Sequence, residues 1–230
     1  MGPEKFRGFV LQWTDLSASR VLLTLFTREG GKRKGVLRLT KQRERAYLSP
    51  LTSVDLVLSG KEHQELKRIS ECSLHRQTFG LASDYLGLSL LTHWAFLIQH
   101  SQPADHEDLR VFRLLDHVLL DFENNPSADT YPVRNLFFEI WLLHFCGVLS
   151  RSGNPFSSDE NQNPQQKSSP HPAMALIFHS RIERVAADAL KWGSLTGTME
   201  DIGQRWEQFL GKKLNPRTQL FQLFRQRRLL

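Results

Sequence analysis

The first 75 residues carry short apolar runs separated by turn signals. Phe6 to Trp13 places Phe9, Val10, Leu11 and Trp13 close together, and Arg20 to Thr27 reads RVLLTLFT. Gly30-Gly31 marks a turn. Lys32 to Thr40 brings Val36, Leu37 and Leu39, while Leu51 to Leu58 sets Val54, Leu56 and Leu58 on one face. Ser59-Gly60 is a second turn. His63 to Leu74 closes the series, with Leu66, Ile69 and Cys72 turned inward. Five short strands at this spacing predict a small closed barrel over residues 1–77.

From Thr78 the apolar period lengthens. Leu81, Tyr85, Leu88, Leu91, Ala95 and Ile98 recur every three or four residues, which predicts a helix. Asp108 to Phe122 repeats the pattern through Leu109, Phe112, Leu115, Val118, Leu119 and Phe122. Pro132 suits a first helical turn. The helix it opens is apolar nearly all round, through Leu136, Phe137, Ile140, Trp141, Leu143 and Val148, so it belongs at the centre of a bundle. Arg151 to Pro172 is rich in Ser, Asn, Gln and Pro, with Phe156 its one large apolar residue, and reads as a disordered loop. Ala173–Lys191, Thr198–Leu210 and a last segment opened by Pro216 read as helices. The chain is therefore α+β, with a barrel over 1–77 and a helical domain over 78–230.

Charge divides the chain three ways. The total is +6 with a pI near 9.5. Residues 1–80 carry a net +7, residues 81–150 a net −6 and residues 151–230 a net +5. Two separate basic surfaces facing a polyanion fit that distribution. Cys72 and Cys146 are too few for a disulfide scaffold and read as buried thiols. No apolar leader opens the chain and no run reaches the length of a bilayer span, so a cytoplasmic protein is expected.

Lys32, Arg33, Lys34, Arg38, Lys41, Arg43 and Arg45 put seven cations into fourteen residues, against one acid, Glu44. Cations spaced along a groove are what phosphate binding requires; a charged hairpin edge that resists aggregation has the same composition. Phe9, Trp13 and Phe26 are candidate base-stacking platforms, with core packing the stronger reading. Lys212, Lys213, Arg217, Arg225, Arg227 and Arg228 form a second basic set, read equally as a phosphate surface or a charged helix end. Asp105, His106, Glu107 and Asp108 read as a helix start. The chain has no phosphate-binding loop, no His-Glu-x-x-His and no Gly-x-Ser-x-Gly, so neither enzymatic activity nor a cofactor is expected.

The run FRGFVLQWTDLSASRVLLTLFTREGGKRKGVLRLTKQRER, Phe6 to Arg45, resembles the start of the RecO family. Leu25-Phe26-Thr27, Gly31 and the basic series Arg38 to Arg45 carry the likeness. Leu48 to His75 resembles the next two strands, and Leu81 to Phe122 the helical part. Two features depart from the family. The loop after the first strand is Thr14-Asp15-Leu16-Ser17-Ala18-Ser19, without the usual glycine and glutamate. Where many members hold a four-cysteine zinc site, only Cys146 lies nearby, and His144, His171 and His179 do not complete a ligand set, so no metal is expected.

The resemblance implies an N-terminal OB-fold and a helical domain, in a bacterial, nucleoid-associated protein of DNA repair and recombination. It implies binding to single- and double-stranded DNA, strand annealing, and help in loading RecA onto DNA coated by single-strand binding protein (SSB). RecR and the acidic C-terminal tail of SSB would be partners. Lys32, Arg33, Lys34, Arg38, Lys41, Arg43 and Arg45 would contact DNA, with Lys212, Lys213, Arg225, Arg227 and Arg228 as a second surface. Arg110, Arg113 and Arg134 are candidate contacts for the SSB tail, although ion pairs with Asp116 or Glu139 explain them as well. A protein-interaction adaptor that does not bind DNA is the competing reading.

Overall fold

A computed structural model describes residues 4–39, 48–60, 66–149, 177–178 and 195–230. The proposed loop at 151–172 lies outside these residues, as do Lys41, Arg43 and Arg45 and most of the Ala173–Lys191 run.

Five strands, β1 (Glu4–Ser17), β2 (Arg20–Thr27), β3 (Gly31–Arg38), β4 (Ser53–Ser59) and β5 (Lys67–Arg76), close into a barrel in the order β1-β2-β3-β5-β4. All neighbours are antiparallel except β3 and β5, which pair in parallel through Gly35–Lys67, Val36–Arg68 and Leu37–Ile69. Strand alternation sends Val10, Val21, Leu23, Leu25, Leu37, Val54, Leu56, Leu58 and Ile69 into the lumen. Closure leaves no long free edge, which is the advantage of a barrel for strands this apolar. This is an OB-fold-like barrel followed by helices, as the sequence predicts. Leu66, expected inward, is exposed. β1 also runs past its expected end at Trp13 to form a hairpin with β2.

The predicted helix at Leu81–Ile98 is broken in two: α1 (Phe79–Ala82) and α2 (Tyr85–Ser101). Ser83 and Asp84 cause the break. The Ser83 hydroxyl donates to Gly80 O at 2.8 Å, and Asp84 is extended at φ −97°, ψ 137° in the N-cap position of α2. α3 (Leu109–Asn124), α4 (Tyr131–Phe145), α5 (Leu195–Leu210) and α6 (Asn215–Gln226) follow, with one turn of 3-10 helix at Ala128–Thr130.

The chain forms two compact units, Met1–Phe112 and Arg113–Leu230. The switch from strands to helices near residue 78 therefore lies inside the first unit. There α2 packs on β1, and Phe112 stacks at 4.9 Å on Phe9 and 6.4 Å on Phe26. In the second unit α4 is central: every residue from Tyr131 to Ile140 is buried. That burial includes charge. Arg134 pairs with Asp121 at 2.7 Å, and Glu139 is held by Arg217 at 2.9 and 3.0 Å. No helix among the described residues is long and apolar enough to cross a membrane.

Candidate nucleic-acid interface

Because Val21, Leu23, Leu25 and Leu37 fill the lumen, their alternates on β2 and β3 stand on the outer wall. The register sets Arg20 opposite Arg38, Thr24 opposite Lys34 and Phe26 opposite Lys32. The parallel ladder then places Arg68 of β5 beside Val36. Arg20, Lys34, Arg38 and Arg68 are all exposed. Among the described residues none of the four has a carboxylate partner. Like charges directly opposite across a ladder destabilise a sheet, so the Arg20–Arg38 pair runs against stability.

The first half of β3 is engaged differently. The α2–α3 connection lies along it, with an isolated bridge between Lys32 and Ala104 and a hydrogen bond from Asp105 N–H to Lys32 O at 3.1 Å. Lys32 Nζ donates to Gln99 O at 2.7 Å, in the last turn of α2, where a cation satisfies a terminal carbonyl. Burial, and then the charge of Lys34, push the Lys32 ammonium below its ordinary pKa. Arg33 pairs with Asp105 at 2.5 Å, donates to Gly30 O at 3.1 Å and lies 6.0 Å from the Phe6 ring centre. Gly31 makes this docking feasible: at φ +63° it sits where a Cβ would meet His106 O at 1.9 Å.

The basic window thus divides. Lys34 and Arg38 face solvent; Lys32 and Arg33 hold the barrel to the segment after α2; Lys41, Arg43 and Arg45 lie outside the described residues. Arg20 and Arg68, which the window does not include, join the exposed group. The Arg20–Arg38 pairing follows from a two-strand hairpin and is recoverable from spacing. The approach of Arg68 depends on barrel closure, which leaves no local signal. Of the three candidate stacking rings, Phe9 and Phe26 are fully buried, and Trp13 is 37 % exposed.

The second basic set is not brought together. Lys212 and Lys213 precede α6 and Arg225, Arg227 and Arg228 lie at its far end, a helix of twelve residues apart, or about 18 Å. All five are exposed, and Arg225 lies 3.5 Å from Glu200. Arg217 does not belong to this surface: it is buried in the Glu139 pair.

Arg134 is corrected in the same way. It is fully buried, bonded to Asp121 and to Asn125 O at 2.8 Å, with its guanidinium 4.6 Å from the Phe122 ring centre. Burial lowers its pKa against the opposing pull of Asp121. It packs the core of the second unit and cannot present itself to a peptide. Arg110 and Arg113 are exposed, and Arg110 pairs with Asp108 at 3.0 Å. Asp108 also accepts from the N–H groups of Arg110 and Val111, so it caps α3 as the sequence suggests.

Residues 1–78 match the family model described as Recombination protein O N terminal. A DNA repair protein RecO from Koribacter versatilis is 32 % identical over 145 residues, covering 62 % of this chain and 58 % of the relative. Another from Pelobacter propionicus is 28 % identical over 167 residues, covering 68 % and 65 %. A third, from Chloroherpeton thalassium, is 27 % identical over 146 residues, covering 62 % and 56 %. The chain spans less than two thirds of the length of these relatives. The barrel, the helices that follow it and these matches agree with one another: residues 1–78 match the N-terminal part of the RecO family, and the chain is similar to RecO proteins over roughly two thirds of its length.

Proposed function

We propose that this protein acts in DNA repair and recombination by binding single- and double-stranded DNA on the outer β2–β3 wall of its barrel. The observation that carries this reading is the exposed set Arg20, Lys34, Arg38 and Arg68, which has no carboxylate partner among the described residues. In OB-folds this strand face and the adjoining β1–β2 loop are where oligonucleotides bind. Phosphates supply the counter-charge that the Arg20–Arg38 pair lacks. Relatives named as DNA repair proteins support the same reading.

On this reading the protein anneals complementary strands and helps RecA onto SSB-coated DNA, with RecR and the SSB C-terminal tail as partners. Arg110 and Arg113 remain candidates for the acidic tail, and the cations at the two ends of α6 for a further DNA contact. Lys41, Arg43 and Arg45 extend the same basic series. The protein works as a nucleoid-associated binder rather than by bond chemistry.

The test is annealing of complementary strands, bare and SSB-coated, together with anisotropy titrations over a salt series. Affinity should fall with salt by about 0.7 logarithmic units per phosphate contact on single strands and about 0.9 on duplex, and annealing should accelerate. Absence of DNA binding at moderate salt would sink the proposal and favour the adaptor reading.

A further inference from the structure

Three arginines share one patch of the outer barrel wall. Val21, Leu37 and Ile69 turn into the lumen, so their chain neighbours Arg20, Arg38 and Arg68 turn outward on β2, β3 and β5. Arg20 and Arg38 are direct Cα partners, which sets their Cβ atoms about 5 Å apart. Arg68 partners Val36, two residues before Arg38 on the adjoining strand, a diagonal of about 8 Å. Arg38 thus has an arginine on each flanking strand. Leu22 stands opposite Val36 beside them, both half-buried, so the cations border a small apolar floor.

Nothing among the described residues neutralises this patch. All three arginines are exposed, and none has a side-chain hydrogen bond or ion pair there. Other cations of the barrel are paired: Lys67, next to Arg68, with Glu4 at 3.3 Å, and Arg7 with Asp55 at 2.8 Å. The acid of β5, Glu71, stands three residues from Arg68, about 10 Å along the strand. Like charges held side by side on neighbouring strands cost stability, and an anion of high charge density offsets that cost.

We infer that Arg20, Arg38 and Arg68 form a clamp for a terminal phosphate of DNA, a phosphomonoester, and so favour strand ends over strand interiors. This rests on the proposed DNA-binding face and names the part of the DNA which that face prefers. A phosphodiester within the backbone carries a single charge. A phosphomonoester carries about −1.5 to −2 charges at neutral pH and three acceptor oxygens. Planar guanidinium forks bind such oxygens two at a time. Three forks side by side exceed what one diester offers and match a monoester. Interior phosphates still meet the arginines, so DNA that ends in hydroxyls binds, but more weakly.

The experiment measures anisotropy of wild type, Arg20→Gln and Arg68→Gln on an internally labelled oligothymidine. The strand bears a 5′-phosphate, a 3′-phosphate or hydroxyls at both ends, at constant ionic strength. At neutral pH a phosphate on at least one end should tighten wild-type binding about tenfold. At about pH 5, below the second phosphate pKa near 6, that gain should shrink to within about a factor of two. Each variant should bind the hydroxyl-ended strand within about threefold of wild type and lose the gain from the phosphate. Inorganic phosphate should compete the gain away. No gain at either end, or a gain that survives in both variants, would overturn the inference, while binding of the hydroxyl-ended strand keeps the DNA reading intact. Failure of the wild type to bind any of the strands overturns both. The pH comparison uses wild type alone, so it decides the matter even where a variant fails to fold.

Discussion

The cations of strand β3 look alike in the sequence and differ in the fold. Lys34 and Arg38 are exposed, without a carboxylate partner among the described residues, whereas Lys32 and Arg33 are bonded within the first unit. Lys32→Met should therefore cost about 1–2 kcal/mol of stability through its lost bond to Gln99 O, with DNA affinity nearly unchanged. Arg20→Thr should do the opposite: relieve the Arg20–Arg38 repulsion, raise stability by a few tenths of a kcal/mol and weaken DNA binding with a shallower salt dependence. Denaturant titration beside anisotropy separates the two, and an Arg20 variant that loses stability would refute the account of the pair. Asp55 gives a pH signature. The hydrogen bond from Arg7 at 2.8 Å, aided by the charges of Arg7 and His75, holds its carboxyl below the ordinary 3.8. The stability it lends is complete above about pH 4 and fades as pH falls through the lowered value. Asp55→Asn should flatten the acid limb of a pH–stability curve, by less than about 1 kcal/mol because the pair is half-exposed. The sequence made the basic window legible as a whole; which of its described cations are exposed depends on where residues 99–106 dock, and no local pattern encodes that.

At the scale of elements, the strands and most helices follow from periodicity because each has one face to bury. α4 was legible for the same reason: apolar residues all round predict a buried helix. Its charged members were not legible in their role. Glu139 and Arg217 are 78 residues apart, and the clasp between α4 and α6 exists only after both are packed. Arg217 also donates to Met199 O of α5, and Gly203 leaves room for it, since a Cβ there would meet Arg217 Nη1 at 2.3 Å. Arg217→Met should cost about 3–5 kcal/mol by leaving Glu139 buried and unpaired. Combining it with Glu139→Leu should recover much of that loss in a thermal melt. Equal destabilisation of single and double variants would show that packing volume, not charge, is what the clasp supplies.

At the scale of the molecule, the basic–acidic–basic division of charge is visible in the sequence, but the units do not follow it. The acidic stretch 81–150 is shared between both units, and its carboxylates have internal duties: Asp105 on Arg33, Asp121 on Arg134 and Glu139 on Arg217. The excess of acid in the middle is thus partly the counter-charge of buried arginines rather than a surface field.

The packing of Phe112 on Phe9 and Phe26 bears on where this protein can be cut. A polypeptide ending at residue 78 contains all five strands and the whole of the family match, yet it would leave Phe9 and Phe26 bare on the barrel's outer wall and the first half of β3 without the backbone of residues 104 and 105. A bare apolar patch beside an open strand edge is a template for self-association. Size-exclusion chromatography should find that fragment aggregated, and one continued through α3 monodisperse. The length that the family model matches is then shorter than the length that folds.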